Sequence, residues 1–269
     1  MYITEQESMS LYRVRGIAMY FVIAAHFSYV GIRQQRISSI IGLLGVPIFF
    51  FCSGLFLDIH TDIKTFWKRK LRSIIAPWII MGGLTYIVHA LSARSFSIIE
   101  YLKWIMGCYT WIYYIPVLLF LIVLFRLSGT SKEKLIIFGI LSFVCNLLYV
   151  IKVLDNFSYF TAYQNPLSWL LFFELGIICK NDNIRTKLKN INAIGFCLIC
   201  FCVFFFSFII SNTTVSYWAV FSIPMELSFI PIALSFSSKL KGQILSQMLG
   251  KILYLYISSI CSLGKELFK

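Results

Sequence analysis

The stretch LYRVRGIAMYFVIAAHFSYVGI, residues 11–32, decides the class of this chain. It is long and apolar enough to cross a bilayer as one α-helix, which needs about 20 residues. Arg15 and His26 stand eleven positions apart in it. Eleven helical residues turn through about 1100°, close to three full turns, so the two side chains share one face about 16 Å apart in depth. An ionisable residue near mid-bilayer is costly and usually belongs to a site, so this pair indicates function.

The composition places the whole chain in a membrane. Of the 269 residues, 59% are hydrophobic and only 13% are charged, and the mean hydropathy is +0.83. Runs of about 18 or more apolar residues recur, which is typical of a polytopic membrane protein. The net charge of +13 comes from basic residues in short loops between those runs. That distribution fits membrane topology and excludes a nucleic-acid partner.

Nine apolar helices are predicted, forming one all-α transmembrane bundle over residues 1–269. Most of the 24 basic residues fall on one side when the N-terminus is cytoplasmic, as expected for cytoplasmic loops. Residues 97–106 are predicted to form a further, interfacial helix with Ile98, Ile99, Leu102 and Ile105 on one face. The predicted spans are residues 11–32, 38–57, 73–91, 111–128, 134–151, 166–179, 191–211, 217–237 and 249–264.

Few other residues suggest chemistry. Glu174 and Glu226 are the only carboxylates inside predicted spans, so both are candidates for a substrate pathway. The eight cysteines lie in or beside apolar segments, where cysteine packs as a small hydrophobe, so neither disulfides nor a metal site is expected. His60 and His89 are interpreted as ordinary histidines without a catalytic role. The small pair Ser53-Gly54 is interpreted as structural, because small residues allow helices to approach closely in membranes.

Three sequence blocks in the first 77 residues resemble acyltransferase family 3, a family of integral-membrane O-acyltransferases. The first is Arg15-Gly16 with His26, the second is GVPIFFFCSG at residues 45–54, and the third is KRKLR at residues 68–72, which leads to Pro77. Their order is that of the family, and together they are a specific signal. Residues 111–119 resemble the family's Trp-Phe-Leu-Pro block, and residues 249–254 resemble its last signature.

The later blocks depart from the family pattern. Trp111 stands where a His is common, and Tyr113 takes the position of the Trp. Leu253 replaces a common Ser in the last signature. The chain ends at Lys269, so the last helix of a usual ten-helix unit is expected to be missing.

The resemblance implies transfer of an acyl group, usually acetyl from acetyl-CoA, to a hydroxyl of a cell-surface glycan or its lipid-linked precursor. The expected location is a bacterial plasma membrane, with a multi-pass topology. His26 is the expected general base or a transient acyl carrier, since a neutral imidazole accepts a proton near neutral pH. The donor's phosphates are expected at Arg15, Arg69 and Arg72. The acceptor is expected near Glu174, Glu226 or Tyr113.

Two other hypotheses on the function stay open. A glycan-lipid flippase or secondary transporter also has many helices, buried carboxylates and helices broken at proline. No internal repeat is apparent, which weakens that reading. The second of these hypotheses is that the protein is an inactive membrane relative of the enzymes.

Overall fold

The fold is all-α over the part of the chain that the structure describes. The computed structural model describes residues 5–27, 35–108, 113–151, 153–154, 161, 163–190, 198 and 222–239, and these ranges contain no β-strand. The helices are α1 (Glu5–Phe27), α2 (Gln35–Leu55), α3 (Ile63–Lys70), α4 (Ala76–Ala93), α5 (Ile98–Ile105), α6 (Tyr114–Ser128), α7 (Lys132–Val150), α8 (Pro166–Ile178), α9 (Asp182–Asn190) and α10 (Ser222–Lys239). The predicted helical class is therefore confirmed.

Several predicted boundaries shift. Helix α1 begins at Glu5, six residues before the predicted span that starts at residue 11. Helix α9 occupies a stretch that was predicted as a loop. The helix predicted at residues 249–264 lies outside the described residues, as does all of residues 191–211 except residue 198.

Helices α3 and α4 form one continuous helix, Ile63–Ala93, joined by a π-helical turn at Leu71–Ile75. The turn ends two residues before Pro77. Because proline has no N–H, it cannot donate to the carbonyl one α-turn earlier, and the backbone can adopt a wider turn there. Within the described residues, this is the one helix long and apolar enough to cross a membrane. Because other apolar helices in those ranges are shorter, the number of membrane spans stays a prediction.

Glycines let α2 and α8 approach closely. A Cβ added to Gly54 would lie 1.9 Å from the Phe173 carbonyl oxygen, and one added to Gly176 would lie 2.0 Å from the Phe51 carbonyl oxygen. Small residues of this kind allow helix backbones to touch in membranes. The structural role predicted for the Ser53-Gly54 pair is thus confirmed for Gly54.

Aromatic side chains fix α6 and α8 around α2. The Phe50 ring stacks on Trp169 with centroids 4.9 Å apart, and the Phe125 ring stacks on Phe173 at 5.2 Å. Offset stacking adds about 0.5–1.5 kcal/mol per pair beyond the burial of apolar area. These contacts hold the α2 and α6 residues that form the site.

Basic side chains gather where α2, α6 and α8 end, at what we call the basic end. Arg126 donates to the carbonyls of Ile59 and Thr61 in the loop after α2. Lys180 donates to the Leu57 carbonyl, and Arg185 donates to the Cys179 carbonyl at 3.2 Å, just beyond α8. Positive charge at helix C-termini is favourable. Arg126, Lys180 and Arg185, which were predicted to lie on one side of the membrane, thus lie together at one end of these helices.

Helix α5 folds back along α4. The Tyr86 hydroxyl donates to the Ser97 carbonyl at 2.7 Å, and the Trp78 indole N–H donates to the Ile105 carbonyl at 3.2 Å. The helix predicted at residues 97–106 is confirmed, while its interfacial position stays a prediction. This hairpin holds Trp78 beside the cavity described next.

Candidate active site

A cavity of about 630 Å³ lies between α1, α2, α4 and α6. Its size falls within the range of small-molecule sites, and its wall is mostly apolar with a few polar groups, as such sites usually are. The described lining residues are Arg15, Met19, Val22, Val46, Phe49, Ser53, Ser73, Ile74, Pro77, Trp78, Met81, Gly82, Tyr113, Tyr114, Ile115 and Leu118.

Arg15 supplies positive charge to this cavity. Its guanidinium carbon lies 4.5 Å from the centroid of the Phe56 ring, and its charge acts on the buried Cys52 thiol. Within the described ranges no carboxylate forms an ion pair with Arg15. A partly buried cation that forms no ion pair with a carboxylate in those ranges is suited to bind an anion.

The cavity-facing side of α1 leads from Arg15 towards His26. Arg15, Met19 and Val22 line the cavity in the 4 and 3 spacing of one helical face, and His26 follows Val22 by another four residues. The His26 backbone belongs to α1, so the predicted rise of about 16 Å from Arg15 holds for the helix. The side chain of His26 lies outside the described residues, and its chemical role stays a prediction.

Arg69 and Arg72 are exposed and are not among the described residues that line the cavity. Arg69 lies in α3 and Arg72 in the π-helical turn, so their spacing no longer follows a regular α-helix. Lys70 is half-buried between them. Its ammonium group lies 5.4 Å from the Phe66 ring centroid, and its charge is repelled by Arg15. Lys70 was not among the residues predicted to bind the donor.

The three residues predicted to bind the acceptor do not lie together. Tyr113 lines the cavity, and its ring packs on Tyr163 with centroids 4.9 Å apart. Glu174 is buried in α8, facing Gly139 of α7, and its Oε2 atom has no hydrogen-bond partner within the described part of the chain. Glu226 is buried in α10. Neither carboxylate is among the described lining residues, so the structure brings only Tyr113 together with Arg15.

Two further polar residues of the wall were not predicted to bind a ligand. The Ser53 and Tyr114 hydroxyl oxygens lie 3.3 Å apart, and both residues line the cavity. Ser53 was predicted to be structural, and Tyr114 carried no signal beyond its position next to Tyr113. Their pairing depends on how α6 crosses α2, which helical periodicity within either segment does not reveal.

A comparison with protein families assigns the chain. The model described as an acyltransferase domain, of acyltransferase family 3, matches residues 11–257. The chain belongs to acyltransferase family 3. Searches of curated proteins and of solved structures find no match.

The match to acyltransferase family 3 spans all four helices that form the cavity. The family is a membrane-embedded acyltransferase family, and the predicted family resemblance is confirmed. In this member the cavity combines a cation, Arg15, with the hydroxyls of Ser53 and Tyr114 in a mostly apolar wall. Such a wall can hold a long ligand that is anionic at one end and uncharged along its length.

Proposed function

We propose that this family member transfers an acyl group, acetyl in the first instance, from acyl-CoA to a hydroxyl of a cell-surface polysaccharide or its lipid-linked precursor. The observation that carries the proposal is the cavity along α1, with Arg15 in its wall and the helix continuing to His26. Coenzyme A is a polyanion on a long uncharged arm. Phosphates held near Arg15 direct that arm along the α1 face towards residue 26.

His26 acts on the hydroxyl of the acceptor in this proposal. As a general base it takes the hydroxyl proton while the oxygen attacks the thioester carbonyl, and it returns that proton to the departing thiolate. As an acyl carrier it first forms the acyl bond itself and releases the thiol before the acceptor attacks. Both routes consume one acyl-CoA, form one ester and release one free thiol.

The donor approaches from the cytoplasm, which we place at the basic end. Arg69 and Arg72 are exposed on the helix that leads into α4, where they attract the donor's phosphates before Arg15 binds them. The acceptor reaches the cavity beside Tyr113, at the start of α6. Glu174 and Glu226 remain acceptor candidates through contacts with the glycan outside the cavity wall. The proposed location is the plasma membrane, with the N-terminus in the cytoplasm.

The test is stoichiometric transfer by purified protein in lipid vesicles. Acetyl-CoA with a labelled acetyl group is supplied together with envelope glycan extracted from cells that lack the protein. We expect label on the glycan to equal the free thiol released. Consumption of acetyl-CoA without labelled glycan would contradict the proposed acceptor, and no binding or consumption of acetyl-CoA would contradict the proposal as a whole.

The transporter alternative gives a different result in the same vesicles. A flippase or secondary transporter moves a glycan-lipid across the bilayer and releases no thiol from acetyl-CoA. Glu174→Gln separates the two readings further, because a transporter that depends on a buried carboxylate loses transport. We expect Glu174→Gln to keep thiol release coupled to ester formation and to change at most the KM for the glycan, because Glu174 faces α7 and not the cavity.

A further inference from the structure

Two hydroxyl groups of the cavity wall lie near Arg15. The Arg15 charge acts on the thiol of Cys52, the residue before Ser53, and on the phenol of Tyr114. Ser53 and Tyr114 both reach the cavity. An arginine and two hydroxyls therefore face the same region of a mostly apolar space.

The hydroxyl protons of this pair can be assigned. Ser53 Oγ donates to the Phe49 carbonyl oxygen at 2.7 Å, which uses the one proton that a serine hydroxyl has. In the 3.3 Å contact between Ser53 and Tyr114, the donor is therefore the Tyr114 hydroxyl. This distance is long for a hydroxyl donor, whose bonds are commonly about 2.7–2.8 Å. The Tyr114 proton is thus held weakly and is available to a better acceptor.

An anionic oxygen bound by Arg15 is such an acceptor, because hydrogen bonds to charged groups are stronger than those between neutral groups. We infer that Tyr114 is a donor-binding residue, whose hydroxyl turns from Ser53 to a phosphate oxygen that Arg15 holds. The inference rests on the proposed function. Ser53 is a positioning residue, which keeps the Tyr114 hydroxyl directed into the cavity when no donor is bound.

The Tyr114 ring is fixed without its hydroxyl. Its centroid lies 4.8 Å from the Phe50 ring centroid and 5.7 Å from the Phe49 ring centroid. Tyr114→Phe keeps these packing contacts and removes one oxygen atom and its proton. The variant should therefore fold, and its effect reports on the hydroxyl alone.

The test measures the affinity of purified protein for coenzyme A by calorimetry. We expect Tyr114→Phe to bind coenzyme A about tenfold more weakly than the unmodified protein, the fold-change of one hydrogen bond to a charged group. Tyr20→Phe is the matched control, because Tyr20 is exposed on α1 and is not among the described residues of the cavity wall. We expect no change for it. In turnover, Tyr114→Phe should raise KM for acetyl-CoA and leave kcat unchanged.

A donor without phosphates distinguishes this role from a general effect on the cavity. Acetyl-pantetheine should be used equally well by the unmodified protein and by Tyr114→Phe, because the hydrogen bond goes to a phosphate. Equal affinity of the two proteins for coenzyme A, while acyl transfer proceeds, would overturn the inference and leave the proposed function intact. If the unmodified protein does not bind coenzyme A, both fail.

A double-mutant cycle tests the part assigned to Ser53. Ser53→Ala should change the affinity for coenzyme A in the unmodified background and have no effect when Tyr114 is already Phe, because Ser53 acts through the Tyr114 hydroxyl. The same change in both backgrounds would overturn the positioning role.

Discussion

The guanidinium carbon of Arg15 lies 4.5 Å from the centroid of the Phe56 ring, so the cation lies over an aromatic face, and Arg15 also lines the cavity. A planar guanidinium can stack and also bind phosphate in two places, whereas an ammonium offers a point charge. This relationship separates Arg15 from the exposed cations of the same protein.

We predict that Arg15→Lys weakens the binding of coenzyme A by about tenfold although the charge is kept, because both the fork geometry and the stacking are lost. Isothermal calorimetry with coenzyme A measures the effect. Arg94→Lys is the control, since Arg94 is exposed just beyond α4. Equal affinities for Arg15→Lys and the unmodified protein would show that Arg15 contributes charge alone.

Helix packing gives a second prediction. Gly54→Ala should lower the thermal stability in detergent markedly, because the added Cβ would lie 1.9 Å from the Phe173 carbonyl oxygen and overpacking commonly costs about 1–3 kcal/mol. Gly83→Ala is the matched control in α4, where the nearest atom to an added Cβ is the Tyr101 hydroxyl oxygen at 3.7 Å. It should be neutral or stabilising, since alanine favours a helix over glycine. Equal stability of the two variants would contradict the close packing of α2 against α8.

The loop after α2 gives a prediction on pH. Hydrogen bonds from the Thr61 hydroxyl and from the His60 backbone N–H hold the pKa of Asp58 below its ordinary value. A carboxylate with a lowered native pKa stabilises the fold above its ordinary pKa of about 3.9, and this contribution disappears as the pH falls through the native pKa.

Asp58→Asn should therefore lower Tm slightly at neutral pH, and the difference from the unmodified protein should vanish in strong acid. The effect is small because the side chain is exposed and water screens it. Thermal unfolding from pH 7 down to about pH 2, below the ordinary pKa of the group, measures it. A Tm difference that stays constant over this range would show that the charge of Asp58 is not involved.

The sequence predicted the helices and the α1 face more completely than it predicted the cavity. Hydrophobic segment length located α2, α6 and α8, and the spacing between Arg15 and His26 depends on one helix alone. By contrast, α9 was missed because its residues are mostly polar, and a polar segment between two apolar spans is typical of a loop. A short polar helix can still form there when local groups cap its ends. The π-helical turn that joins α3 to α4 was not predicted, because the basic stretch around it was interpreted as a topology signal and a regular helix.

Residues that meet across helices could not be found in the same way. The pairing of Ser53 with Tyr114 depends on the crossing of α2 and α6, and the shared cavity of Arg15 and Ser73 depends on how α1 packs beside the π-helical turn. Each arises from tertiary packing, which the hydrophobic periodicity of a single segment does not reveal. Glu174 shows the converse, because a buried carboxylate was predicted correctly as buried, while its direction, towards Gly139, required the structure.

The most direct test of the account is acyl transfer by His26→Gln in lipid vesicles, with labelled acetyl-CoA and envelope glycan. The protein has three histidines, and the other two provide matched controls: His60 is exposed in the loop after α2, and His89 stacks on Trp104 with ring centroids 4.6 Å apart. The account predicts that His26→Gln binds coenzyme A normally and loses transfer by about 100-fold to 10,000-fold, while His60→Gln and His89→Gln transfer at the unmodified rate. Retention of more than about a tenth of the activity by His26→Gln would contradict the general-base and acyl-carrier roles alike.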